Sequence, residues 1–226
     1  MEHSVIGLRA RLNREADASA QAGFSLIELL VSMMIFSIFV GLFLSAVVGL
    51  TRGTTRAKLT AETSSSVLLV FQNIDRQVRY ADAITLPGNG SSGPRYRYVE
   101  FRTPAASTRD GVTKCTQWRF DSTNGTLASR EWPATTFASA TAWAQKVDTV
   151  IDTATTDYPF QLVRAAADGS TKQQLVLKID AGNADAGAVS SISTTYIARN
   201  SSLASPTNAD VAGARPSTCW TTVSRP

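Results

Sequence analysis

Between Leu29 and Thr51 the sequence contains no Asp, Glu, Lys, Arg, His or Pro. At about 1.5 Å per residue, such a run makes enough helix to cross a bilayer core of roughly 30 Å. It reads as a membrane helix, and the rest of the chain must be arranged around it. Glu28 interrupts the pattern at its start, because an ionisable group inside an apolar helix costs roughly 2.5 to 3.5 kcal/mol and normally has a partner. No Lys or Arg lies near enough in the segment to be that partner. A secretory signal has an apolar region of about 7 to 15 residues followed by a small-residue cleavage site. Here the small residue, Gly23, precedes the run, and the run is longer. The plain alternative is an ordinary single-span anchor or an uncleaved signal, neither of which needs a glutamate five residues after a glycine.

The stretch Gly23-Phe24-Ser25-Leu26-Ile27-Glu28-Leu29-Leu30-Val31, with the apolar run behind it, resembles the signal of type IV prepilins and of type II secretion pseudopilins. The resemblance implies that a prepilin peptidase/methyltransferase cuts between Gly23 and Phe24 and methylates the new amine of Phe24. It implies that Glu28, then the fifth residue, pairs with the terminal amine of a neighbouring subunit. The physics agrees, since a carboxylate without a partner in its own chain gains one only when another chain docks. The implied organisation is a leader at 1–23, a transmembrane and filament-core helix at 24–51, its amphipathic continuation at 52–86, and a β-rich head with a loop-rich tail at 87–226. The implied partners are the peptidase, other pilin or pseudopilin subunits, an inner-membrane assembly platform, and the membrane before assembly. Charge does not orient the helix, because Arg9, Arg11 and Arg14 before the run are matched by Arg52, Arg56 and Lys58 after it. The cytoplasmic leader and extracytoplasmic head, later in a surface or periplasmic filament, rest on the resemblance.

Beyond the run, Val67, Phe71, Ile74, Val78 and Ala81 recur at steps of four and three, which places them on one helical face, with Gln72, Asp75, Arg76 and Arg79 opposite. Gly53 and the Thr and Ser residues of 51–66 lower helix propensity and predict a loosened turn. The helix is expected to run to about Ile84, because Pro87-Gly88-Asn89-Gly90 is a stop. Strands are predicted at 95–103, 114–120, 126–132, 159–164, 173–179 and 189–199, with Asn124-Gly125 as a hairpin turn. Residues 134–156 read as either a short helix near Trp143 or an irregular loop. The sum is an α+β fold, pilin-like under the resemblance, with a long N-terminal helix packed on an antiparallel sheet.

Little in the sequence supports catalysis. His3 is the only histidine, so a chain cut after Gly23 has none for a Ser-His-Asp or Cys-His arrangement, and no Gly-rich phosphate loop is present. Neither enzyme activity nor a cofactor is expected. A net charge of +4, dispersed along the chain, does not suggest a nucleic-acid surface. Asp148, Asp152 and Asp157 read as solvated loop residues. Cys115 and Cys219 make an even count in an exported domain, which favours a disulfide over two free thiols. Asp180, Asn183 and Asp185 are a weak calcium candidate in what is otherwise a hairpin loop. Trp132, Trp143 and Trp220 read as core residues or as surface anchors. The resemblance implies a structural filament subunit. Phe71 to Arg79 and Tyr196 to Asn200 resemble minor subunits of the J type, and the alternative is a pilus-tip binding module, an adhesin or DNA-capture subunit.

Overall fold

In the computed structural model the described residues are 25–90, 93–153, 155, 158–167, 169–185, 187–208 and 219. The chain falls into two units, Met1–Thr54 and Thr55–Pro226. One helix, α1 (Leu26–Tyr80), begins in the first and ends in the second.

In the first unit α1 is apolar on every side. None of its most apolar stretch is buried. The hydroxyls in this stretch do not compete with the helix, because they fold back onto its carbonyls. Ser32 Oγ donates to Leu29 O at 2.9 Å, Ser37 Oγ to Met33 O at 2.8 Å and Thr51 Oγ1 to Val47 O at 2.9 Å. Polar groups satisfied inside the helix suit a segment that has no water to turn to. The loosened turn expected over 51–66 does not occur. There too Thr60 Oγ1 donates to Arg56 O and Ser65 Oγ to Ala61 O, and the helix runs on unbroken.

In the second unit the predicted stripe is the buried one. Val67, Phe71, Ile74 and Val78 are buried with Val70, which the four-three spacing did not single out, and Ala81 is buried just past the helix end. The helix stops at Tyr80 rather than Ile84. Ala83 and Ile84 instead form β1, opposite Arg102 and Phe101. The Asp82 carboxylate holds Arg102 through two hydrogen bonds of 2.9 Å, pulling the chain into the sheet. The carbonyls left open at the helix end are met from 120 residues away, where Asn200 Nδ2 donates to Tyr80 O at 2.9 Å. The Arg199 N–H likewise donates to Arg79 O at 3.2 Å. A helix end buried without such partners would be costly.

Two antiparallel sheets form where one was expected. The first contains β1 (Ala83–Ile84), β2 (Gly88–Gly90), β3 (Gly93–Thr103), β4 (Lys114–Asp121), β5 (Thr126–Pro133) and β6 (Ala144–Val147), ordered β1-β3-β4-β5-β6 with β2 also on β3. The second contains β7 (Phe160–Val163), β8 (Gln174–Asn183) and β9 (Ala188–Ile197), in that order. Residues 134–156 are neither of the two expected forms throughout. They hold a 3-10 turn at Phe137–Ser139, then β6, then an isolated bridge from Val150 to Ala181. The short edge strand β6, Ala-Gln-Lys-Val, has no β-branched run to announce it.

Alternate residues of both sheets close one core with the helix. Val99, Phe101, Trp118, Phe120 and Leu127 come from the first sheet, and Leu175, Leu177, Ile179 and Tyr196 from the second. The polar atoms that Trp118 and Tyr196 carry into this core are paired. Trp118 Nε1 donates to Gln77 Oε1 at 2.7 Å, and Tyr196 Oη donates to Phe71 O at 3.1 Å. Burial raises the Tyr196 hydroxyl pKa well above its usual value. At the β4–β5 hairpin Gly125 has φ +62°, and a Cβ there would stand 2.5 Å from Val150 O, so only glycine fits. Asp121 organises the same turn, accepting from Arg95 Nε and Nη2, from the Thr123 and Asn124 N–H groups and from Asn124 Nδ2.

Two outcomes follow for the detergent-solubilised chain. Phe71→Ala should lower unfolding stability by about 3 to 5 kcal/mol and Ile74→Ala by about 2 to 5 kcal/mol. An unchanged denaturation midpoint would contradict their place in the core. The Arg95 guanidinium holds the Asp121 carboxyl below the usual carboxylate range. That stability is present above the ordinary carboxylate pKa and is lost as pH falls through the lowered one. Asp121→Asn should therefore melt lower than the parent at pH 7, with the gap closing as the pH falls through the carboxylate range; a gap that persists contradicts the linkage.

Candidate functional site

The start of α1 is set by Ser25. Its Oγ accepts the Glu28 N–H at 3.3 Å and its carbonyl accepts the Leu29 N–H at 3.2 Å. Ser25 and Glu28 therefore stand at the spacing of a capping box. Sequence reasoning centred on Glu28 passed over this cap, although the Ser-x-x-Glu spacing announces it. Only the serine half of the box is made. Among the described residues the Glu28 carboxylate has no hydrogen bond or ion pair, and it is exposed. Around it Leu26, Ile27 and Leu30 are 79%, 69% and 57% exposed. A carboxylate in the first turn also faces the positive end of the helix dipole. A free carboxylate set in exposed apolar surface is chemically fitted to take an ammonium group brought by another chain in the same apolar setting. Gly23 and Phe24, the expected processing pair, lie outside the described residues.

In the head, the outer face of the first sheet carries a ladder of arginines and rings. The Arg119 and Arg130 guanidinium groups lie over the Trp143 ring, 4.2 and 4.3 Å from its centroid. Arg95 and Arg119 each lie 4.8 Å from the centroid of the Tyr96 ring. Each ring thus has two guanidinium groups of its own chain within stacking range, and the Trp143 contacts pin the irregular stretch before β6 onto the sheet. Trp132 is buried, and Trp220 lies outside the described residues. Asp152 is more than a solvated loop residue, since it holds Arg97 through hydrogen bonds of 2.7 and 3.1 Å. Asp148 is exposed, and Asp157 lies outside the described residues.

The Asp180, Asn183 and Asp185 set is not drawn together. Asp180 and Asn183 occupy positions of opposite parity along β8, and Asp185 is in the turn beyond. Beside that turn stands a resident cation: a Cβ on Gly187 would lie 3.4 Å from Arg56 Cζ. We therefore build no metal site on these residues.

Cys115 and Cys219 are joined in a disulfide, with Cα atoms 5.8 Å apart across a separation of 104 residues. Both are buried in a satellite cluster with Trp132, whose Nε1 donates to Cys219 O at 3.3 Å while its ring meets Phe137 edge-on at 5.1 Å. The bridge fixes the tail to β4 on the side of the sheet away from α1. Closing a loop of this size contributes about 4.7 kcal/mol in the chain-entropy model, and removing such a bond typically costs about 2 to 5 kcal/mol. Cys219→Ser should lower the melting temperature of the oxidised chain to that of the reduced parent. Equal melting of oxidised and reduced parent would contradict a stabilising bridge.

Residues 18–44 match the family model of the prokaryotic N-terminal methylation motif. No curated protein and no solved structure matches the chain. The matched segment covers the expected processing pair, the Ser25 cap, Glu28 and the first half of the apolar run. The N-terminus of this chain is therefore of the prepilin and pseudopilin type.

Proposed function

We propose that the chain is a minor subunit of a type IV pilus or type II secretion-like filament, held in the membrane by α1 until it is drawn into the assembly. The observation that carries the reading is the Glu28 carboxylate, without a partner among the described residues, on a helix segment whose apolar surface is exposed all round. The methylation motif supports it, because that motif is a signal for cleavage and N-methylation. Prepilin peptidase cuts after Gly23 and methylates Phe24. The new amine and Glu28 of adjacent subunits then neutralise one another as their helices come together. The leader lies in the cytoplasm and the head outside it. The work of the chain is structural, and its partners are the peptidase, the assembly platform and neighbouring subunits.

The alternative is a tip-mounted binding module. The rings of Trp143 and Tyr96 on the outer sheet face already hold the chain's own arginines, which would compete with a ligand for them. The assembly reading is the better supported.

Glu28→Ala should leave cleavage after Gly23 intact, read as the size of the membrane-bound chain, and should remove most of the chain from sheared filaments. Glu28→Asp should recover part of the incorporation. Normal filament yield from Glu28→Ala would overturn the role assigned to the carboxylate.

A further inference from the structure

A sheet edge offers unpaired backbone groups to any passing strand, and proteins blunt such edges by shortness, charge, proline or bulges. Most margins of these two sheets are blunted. β1 has 2 residues and β2 has 3, with a register shift at Asn89/Gly90. β6 has 4 residues, includes Lys146 and meets β5 across a register shift. β7 has 4 residues and follows Pro159. β9 is different. It has 10 residues, pairs with β8 without a break from Gln174↔Ile197 to Asn183↔Ala188, and contains no Asp, Glu, Lys, Arg or Pro. On its other side no backbone hydrogen bond is made among the described residues.

The course of β9 indicates what it can take. Gly187 stands beside Arg56, Tyr196 Oη donates to Phe71 O, and the Arg199 N–H donates to Arg79 O. The strand thus climbs beside the upper part of α1 in step with it. On the filament reading, a neighbouring subunit is already held beside this one by its own N-terminal helix, so it loses less freedom on pairing than a free peptide would. We propose that the outer edge of β9 accepts an uncharged edge strand from a neighbouring subunit with the same type of N-terminus, so that the sheet continues from one head into the next. This rests on the reading of the chain as a filament subunit.

The test places a photo-crosslinking residue at Thr195, exposed on β9, or at Gln161, exposed on β7 of the same sheet. The full chain is expressed in its own cells, and adducts in sheared filaments are identified by mass. The expected result is an adduct from Thr195, and not from Gln161, to a chain bearing a prepilin-type N-terminus. Adding Ser191→Lys and Ser193→Lys should abolish that adduct while the head keeps its disulfide and its melting temperature. The inference is overturned if the chain is in filaments and Thr195 gives no adduct, if Gln161 crosslinks equally, or if the captured chain lacks such an N-terminus. An adduct that survives both lysines also overturns it. A chain found uncleaved and absent from filaments overturns the functional reading itself, and this inference with it.

Discussion

The constraint on which the structure depends is an apolar helix segment that the described residues leave uncovered. Among the described residues no side chain from Leu26 to Leu50 is buried, so the hydrophobic term that stabilises an ordinary helix against its core is here left for lipid or other helices to supply. Glu28 makes that dependence selective. An apolar surface alone is satisfied by a bilayer, whereas a carboxylate in the same surface is better satisfied by a cation delivered at the same depth. Under the function proposed above, the helix would be stable in the membrane and more stable in an assembly that supplies the charge.

The second half of the same helix is stabilised by opposite means. Val67, Val70, Phe71, Ile74 and Val78 are buried against two sheets, and the helix end is held by residues that arrive only after β9. The head is therefore closed by sequence-distant contacts: Asn200 on Tyr80, Gln173 Oε1 accepting the Ile84 N–H at 2.9 Å, and the Cys115–Cys219 bond. Each ties the last third of the chain to the helix or the first sheet. The methylation motif marks the N-terminus of the chain, and these ties close the head that follows it.

Much of this was legible in the sequence, for physical reasons that differ by region. The helix stripe could be read because its period is set by the backbone, and the hairpin at Asn124-Gly125 because a turn of that kind demands glycine. Cys115 and Cys219 were legible because only two cysteines exist to pair. The helix end was not, since Ala83 and Ile84 are good continuations of the stripe and are diverted only by the Asp82–Arg102 pair and by pairing with β3. The intact turn at 51–66 was missed because propensity counts Thr and Ser as poor helix formers without counting hydroxyls that bond back to the helix. The division into two sheets was not legible because it depends on which strands pair, and local pattern does not encode that pairing. At the functional site, the carboxylate was evident from its cost in an apolar run, while the Ser25 cap that sets the helix start was overlooked.

The most direct measurement is the unreduced intact mass of the native protein, taken separately from sheared filaments and from membranes. A species in the sheared fraction that begins at N-methylated Phe24 and is two hydrogens light is the predicted result, joining processing, assembly and the disulfide in one observation. A mass beginning at Met1, found in membranes alone, would contradict it and leave an ordinary anchored domain.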